Sequence, residues 1–252
     1  MALTHFYDNA FYDYIEQGSR ASARAVITRL ASGMEIASVL DVGCGRGAWL
    51  SEWQQAGFED VVGVDGDYVE RASLHIAPQK FHARNLEQPF DLGRRFDLVQ
   101  CLEVAEHLPE TAAAGLVTSL ARHGDVILFS AAVPGQGGEH HINEQPLGYW
   151  RERFEDLGYS VFDFVRPGLK DRREVMNWYR FNTLLYANEA GQARLSRVIL
   201  DQRIPPGSAI PDRETLGWKF RRLLVRPLPR KFIDTIASAR ARRLADRARK
   251  QG

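Results

Sequence analysis

A short apolar run that breaks into three glycines at alternate positions constrains this chain more than any other feature. Val39-Leu-Asp41-Val-Gly43-Cys44-Gly45-Arg-Gly47 ends a strand pattern and leads into a helix pattern over residues 48–56. Glycine allows positive φ and lets backbone N–H groups come close to a ligand, at a helix N-terminus that favours electron-rich groups. The spacing is GxGxG, not the GxGxxG of dinucleotide-binding turns, so no pyrophosphate is expected and a nicotinamide oxidoreductase is disfavoured.

Around this turn the pattern alternates. Apolar runs at 38–42, 60–64, 80–83, 96–102 and 125–131 read as strands. Helix patterns at 22–31, 48–56, 68–76, 109–122 and 149–157 separate or follow them, with Pro78 just past the third and Pro109 in the first turn of the fourth. Short buried strands alternating with helices predict βαβ units, a parallel sheet and right-handed crossovers. Two last strands, at 160–165 and 182–187, are expected to supply an antiparallel edge. The fold expected is α/β: a doubly wound, Rossmann-like, seven-stranded and mostly parallel sheet with an antiparallel edge strand, plus a helical C-terminal extension.

The length of 252 residues suits one such domain with an appendage. Residues 21–188 are expected to form the domain, residues 1–20 an N-terminal lid and residues 189–252 the extension. The lid expectation rests on the aromatic stripe of Phe6, Tyr7, Phe11, Tyr12 and Tyr14. The extension is read as one helix over 189–203, a turn-rich linker, a stretch over 215–225 that precedes Arg226-Pro-Leu-Pro-Arg230, and an Arg/Ala-rich helix with Phe232, Ile233, Ile236, Leu244 and Ala245 along one side. A chain cut after Asn188 is expected to fold. The net charge of +1 hides an acidic body, −9 over residues 1–188, and a basic tail, +10 over 189–252. Such a tail contacts an anionic surface, mediates oligomerisation, or is simply a solvated helical face. Cys44 and Cys101 have neither disulfide-framework nor metal-type spacing, and the first residues lack the pattern of a secretory signal, so a cytoplasmic setting is expected. No apolar run approaches the ~20 residues that span a bilayer.

A second element sharpens the first. Val61-Val-Gly-Val-Asp65 is an apolar strand ending in a carboxylate, 18 residues after Gly47. A carboxylate there can accept both hydroxyls of a ribose. It could also cap a helix over 68–76, although Asp67 is the better cap.

With these two elements, residues 36–130 resemble the class I S-adenosylmethionine-dependent methyltransferases. The resemblance implies S-adenosyl-L-methionine as cofactor. It puts Asp41 and Gly43 near the methionine amino group on the turn of Cys44, Gly45 and Gly47, and Asp65 on the ribose. Asn85 and the Leu86 backbone would meet adenine, and Cys101 would flank the methionine end, with both cysteines as packing residues. The family more often has Asp where Asn85 stands; Asn can still accept from the adenine amino group.

On the acceptor side, Glu103-Val-Ala-Glu106-His107 places two carboxylates and an imidazole within five residues after the fourth strand. Such a set binds a divalent ion or supplies a base, or else simply packs and caps the following helix. ExxEH here resembles ubiquinone-pathway O-methyltransferases and small-RNA 2′-O-methyltransferases. The resemblance implies an ion such as Mg2+ held by Glu103, Glu106 and His107, with His141 as the later histidine. His141 and Asn143, in the loop Pro134-Gly-Gln-Gly-Gly-Glu-His140-His141-Ile-Asn143-Glu144, point the same way if that loop is extended. The stretches 141–150 and 175–185 resemble bacterial methyltransferases found among sugar and polysaccharide enzymes. The RNA enzymes lack the second stretch, so nucleic acid is not expected as substrate. The reading that follows is O-methylation of a sugar or other small hydroxylated molecule, with His141 or His107 as base, since imidazole titrates near neutral pH. The alternatives are N- or C-methylation of a small molecule, or a methyltransferase-like binding scaffold.

Overall fold

The computed structural model describes residues 9–229, 232 and 235. Residues 6–8 of the aromatic stripe, and Ile233, Ile236, Leu244 and Ala245, lie outside the described residues. Helix α1 (Asn9–Ala31) runs through the boundary expected at residue 20.

The strands are β1 (Ser38–Val42), β2 (Asp60–Asp65), β3 (Phe81–Ala83), β4 (Leu98–Leu102), β5 (Val126–Ser130), β6 (Ser160–Phe162) and β7 (Leu184–Ala187). They form one sheet in the order β3-β2-β1-β4-β5-β7-β6. The first five pair in parallel, and β7 runs antiparallel to both β5 and β6. The reversed strand is therefore the penultimate one, and β6 forms the edge. Strand order reverses between β1 and β4, which opens the crevice where doubly wound folds take their ligands.

Helices cover both faces, because alternate strand residues point to opposite sides. Val39, Leu98 and Leu128 face α1, α2 (Ala48–Gln55), α5 (Val165–Gly168) and α6 (Asn177–Asn182). Leu40, Val99 and Phe129 face α3 (Ala113–His123) and α4 (Leu147–Glu155). Two helix expectations change. Residues 68–76 hold only a 3-10 turn at Arg71–Ser73, because the Tyr68 hydroxyl is drawn back onto Asp65 just where the first helical turn would start. The single helix expected over 189–203 is two short ones, α7 (Glu189–Gln192) and α8 (Arg197–Leu200). Between them Ser196 N donates to Gly33 O at 3.0 Å, and Met34 bridges Leu195.

The boundary at Asn188 does not separate two cores. Leu195 and Ile199 are buried with α1 and α5, and Ile204 with the opposite face. Backbone bonds tie Asp163 N to Gln202 O and Ile204 N to Val161 O. The sheet is complete by Asn188, and the extension fills the space that α1 and β6 leave open. Farther on, α9 (Leu216–Val225) is capped by the Thr215 hydroxyl, which accepts from Trp218 N. It docks on the loop after β5, where Arg222 donates to Pro134 O and Arg221 to Gln136 O. Among the described residues no helix is long and apolar enough to cross a membrane.

Ile199 is fully buried. Ile199→Ala should therefore cost about 2–5 kcal/mol, read from the urea midpoint at constant slope. A loss under ~1 kcal/mol would return residues 189–204 to the status of an appendage.

Candidate functional site

Gly43, Gly45 and Gly47 all have positive φ, at 81°, 52° and 83°. A side chain at Gly43 would strike Val104, whereas nothing lies within 4 Å of a Cβ built at Gly45. The turn therefore packs on one side and presents open space on the other. It is tied to β2: Gly43 N and Cys44 N donate to Val64 O at 2.7 and 3.2 Å, and Gly45 N donates to Asp65 Oδ2 at 2.6 Å. The second Asp65 oxygen accepts Gly66 N at 2.7 Å and the Tyr68 hydroxyl. Asp65 is thus a carboxylate at the lip of the turn, not a helix cap.

Asp41 is as buried as Asp65 and has no ion pair among the described residues. Burial, and behind it the like charge of Asp65, pushes its carboxyl up to about 7. Burial, aided by Asp41, also raises the thiols of Cys44 and Cys101. Neither thiol has the stabilised anion of a nucleophile. Leu86 is buried, while Asn85 is exposed and its Oδ1 accepts Glu87 N at 3.0 Å, a local turn.

The second cluster lies past the carboxyl end of β4. Glu103 sits at φ 56°, an uncommon conformation for a residue with a side chain and one that gathers at functional sites. Gln136 Nε2 donates to Glu103 at 2.7 Å and Asn182 Nδ2 at 3.4 Å. Burial raises the Glu103 carboxyl, and those bonds oppose the rise. Glu106 is fully buried with neither side-chain oxygen hydrogen-bonded. Burial and the neighbouring Glu103 raise its carboxyl well above the ordinary range. His107, 4.9 Å from His141 between ring centroids, is held down to about 4 by burial and then by the His141 charge. His141 Nδ1 is 2.9 Å from Glu144 Oε1, and Glu144 also accepts Gly135 N and Gly137 N. Burial opposes it, but the His141 bond and these amides hold Glu144 below its ordinary value.

Glu106, His107 and His141 each bring a ligand atom within 4.8 Å of the other two. Glu103 stands outside this group, engaged by Gln136 and Asn182, so the four-residue set read from the sequence contracts to three. The loop is not extended: His140 has φ 58°. Asn143 is buried, with Nδ2 3.4 Å from Ala105 O, rather than alongside His141. A base whose far nitrogen is fixed by a carboxylate is the arrangement general-base catalysis requires. Sequence reasoning did not single out Gln136, a lone amide among glycines, or the role of Glu144, which the spacing to His141 could have suggested.

Comparison with known proteins places this geometry. A family model described as a methyltransferase domain matches residues 12–180. A ubiquinone biosynthesis O-methyltransferase of Alkalilimnicola ehrlichii is 31% identical over 171 residues, covering 58% of this chain and 62% of the relative. The chain thus spans less than two thirds of that relative's length. Among solved structures, DesVI of Streptomyces venezuelae aligns with a TM-score of 0.54 at 18% identity, over 73% of this chain and 100% of that one. Magnesium protoporphyrin IX methyltransferase from Synechocystis, solved with S-adenosylmethionine bound, aligns at 0.50 and 22% identity, over 73% and 86%. At these identities the two structures speak to the fold. With the family match spanning the glycine turn, Asp65 and the cluster beyond β4, the chain belongs to the family described as a methyltransferase domain.

Proposed function

We propose that the chain moves a methyl group from S-adenosylmethionine to an oxygen of a small hydroxylated acceptor, a sugar among the candidates. The observation that carries this reading is the Glu106–His107–His141 group standing beyond β4, on the same edge of the sheet as the glycine turn. The turn suits the cofactor. Open space lies over Gly45, Asp65 offers the ribose a carboxylate, and Asp41 is a buried acid in want of a cation, which the methionine ammonium would supply. Asn85 must give up its local turn to meet adenine, while the Leu86 backbone needs no such change.

Methyl transfer is an in-line displacement at a sulfonium carbon, so positioning the acceptor at roughly 3 Å is most of the task. The hydroxyl must also lose its proton. His141 is the better base, because Glu144 orients its Nδ1 and frees Nε2, whereas burial makes His107 a weak base. In the alternative arrangement Glu106, His107 and His141 would hold a divalent ion, with His141 a ligand and not the base, and the ion would supply acidification of the acceptor hydroxyl. Two imidazoles and one carboxylate suit Mn2+ or a similar transition ion at least as well as Mg2+, which prefers oxygen ligands.

Three outcomes test this reading. Cofactor binding requires an ionised Asp41, and the free protein raises that carboxyl to about 7. Affinity should be flat above that pH and fall below it by up to about tenfold per unit, because a proton must then leave on binding. Calorimetric titration with S-adenosylhomocysteine across pH checks this, and Asp41→Asn should flatten the profile; an equally pH-dependent variant would move the effect elsewhere.

His141→Ala should leave cofactor affinity intact and slow turnover about 10²–10⁴-fold, less for acceptors whose hydroxyl is already acidic. Near-wild-type turnover would remove His141 as base.

Exhaustive chelation should abolish activity, with Mn2+ or Mg2+ restoring it, and Mn2+ should raise the melting temperature of the wild type but not of Glu106→Gln. Full activity after chelation would leave the three residues with a packing or acid–base role only.

A further inference from the structure

Beside the carboxylate cluster lies a cavity of about 720 Å³, within the roughly 300–1,000 Å³ of small-molecule sites. Asn182 joins the two: it lines the cavity, and its Nδ2 donates to Gln136 Oε1 at 2.8 Å and toward Glu103. One wall belongs to the domain, through Val133, Leu147 of α4 and Arg166 of α5. The other is built by residues 207–214 and by Arg222 of α9. Arg222 donates to Pro134 O through Nε and Nη2, at 3.1 and 2.9 Å, and so fastens that wall to the loop that carries Gln136.

The charges lining this space do not cancel. Asp163, 3% exposed, accepts Arg166 Nε at 2.7 Å on one oxygen and Arg213 Nε at 2.9 Å on the other. One carboxylate therefore serves two guanidinium groups. Glu155 is held by Arg151, Glu214 by Arg222 and Asp212 by Lys219. Arg226 lines the cavity and pairs with no carboxylate among the described residues; Glu152 is the lining acid in the same position. The unspent donors are more specific than this balance. Arg166 gives Nη1 to Phe181 O, but its Nη2 is buried without an acceptor. Arg213 engages Asp163 through Nε alone and leaves its outer nitrogens available. A buried cationic donor without a partner is costly, and a planar guanidinium pairs best with a flat or tetrahedral oxyanion.

We propose that this cavity binds the anionic end of the acceptor, a phosphate ester or carboxylate taken by the outer nitrogens of Arg213, with Arg166 fixing the shared Asp163 behind it, while the acceptor's hydroxyl reaches the Glu106–His107–His141 group past Asn182. The inference rests on the methyl-transfer reading and narrows it to small acceptors that carry a compact oxyanion.

Calorimetric titration of the full chain with inorganic phosphate and with succinate, against potassium chloride at matched ionic strength, tests it. S-adenosylhomocysteine is titrated in parallel. Saturable binding of either oxyanion is expected. Arg213→Gln, a change at a side chain 41% exposed and so compatible with folding, should weaken it about tenfold or more. The same variant should leave S-adenosylhomocysteine affinity unchanged. Whichever of phosphate and succinate binds more tightly assigns the oxyanion. Binding no stronger than the chloride blank, or equal in wild type and Arg213→Gln, overturns the proposal, and does so alone if S-adenosylhomocysteine still binds. Failure to bind S-adenosylhomocysteine overturns the methyl-transfer reading instead, whatever the oxyanions do.

Discussion

The bond from Gly45 N to Asp65 is the tie on which the site depends. It joins the turn after β1 to the tip of β2, while Gly43 N and Cys44 N meet Val64 O one residue earlier. The turn can bend this tightly only through positive φ, and it is held in place only because a neighbouring parallel strand ends at the same height. The crevice at the β1–β4 reversal therefore has a fixed floor. The same carboxylate is engaged on both oxygens, by Gly45 N on one and by Gly66 N and the Tyr68 hydroxyl on the other, so one side chain holds both sides of the turn in register.

Around that floor the protein collects buried acids. Asp41, Glu103 and Glu106 are all raised, each chiefly by burial. Ionised carboxylates withdrawn from water without partners cost several kcal/mol each, and two side by side cost more. Burial disfavours the ionised form of each, and a cation brought alongside would restore it. A stability-driven sequence would replace them with apolar residues of similar volume. Their presence here, with Glu103 in a strained backbone conformation, marks the carboxyl edge of the sheet as the place where stability is traded for chemistry.

The sheet was legible in the sequence because its strands are buried on both faces and read as unbroken apolar runs. Six of them lie within about two residues of the expected ranges, and β6 alone is shorter by more, because Val165 begins α5. Residues 68–76 were misread because helical spacing of Val69, Ala72 and Ile76 says nothing about a distant claim on Tyr68. Residues 189–204 were misread because Leu195, Ile199 and Ile204 look like one face of a solvated helix until the gap they fill is known. In the site, the glycines, Asp65, Glu106, His107 and His141 announced themselves by residue type and spacing. Gln136, Asn182 and Arg166 did not: their importance lies in contacts across 46 or 15 residues that no local pattern records.

The cavity's two walls have different origins. One is made within the stretch 12–180 that the family shares, the other by residues 207–226, beyond it. The outer wall touches the inner mainly through backbone carbonyls, Pro134 O and Gln136 O among them, which any residue at those positions would offer. Such an attachment is indifferent to much of the sequence on either side. Lineages can therefore exchange or redraw the outer segment while inheriting the sheet and its turn unchanged, and chains with one catalytic floor can come to enclose quite different molecules.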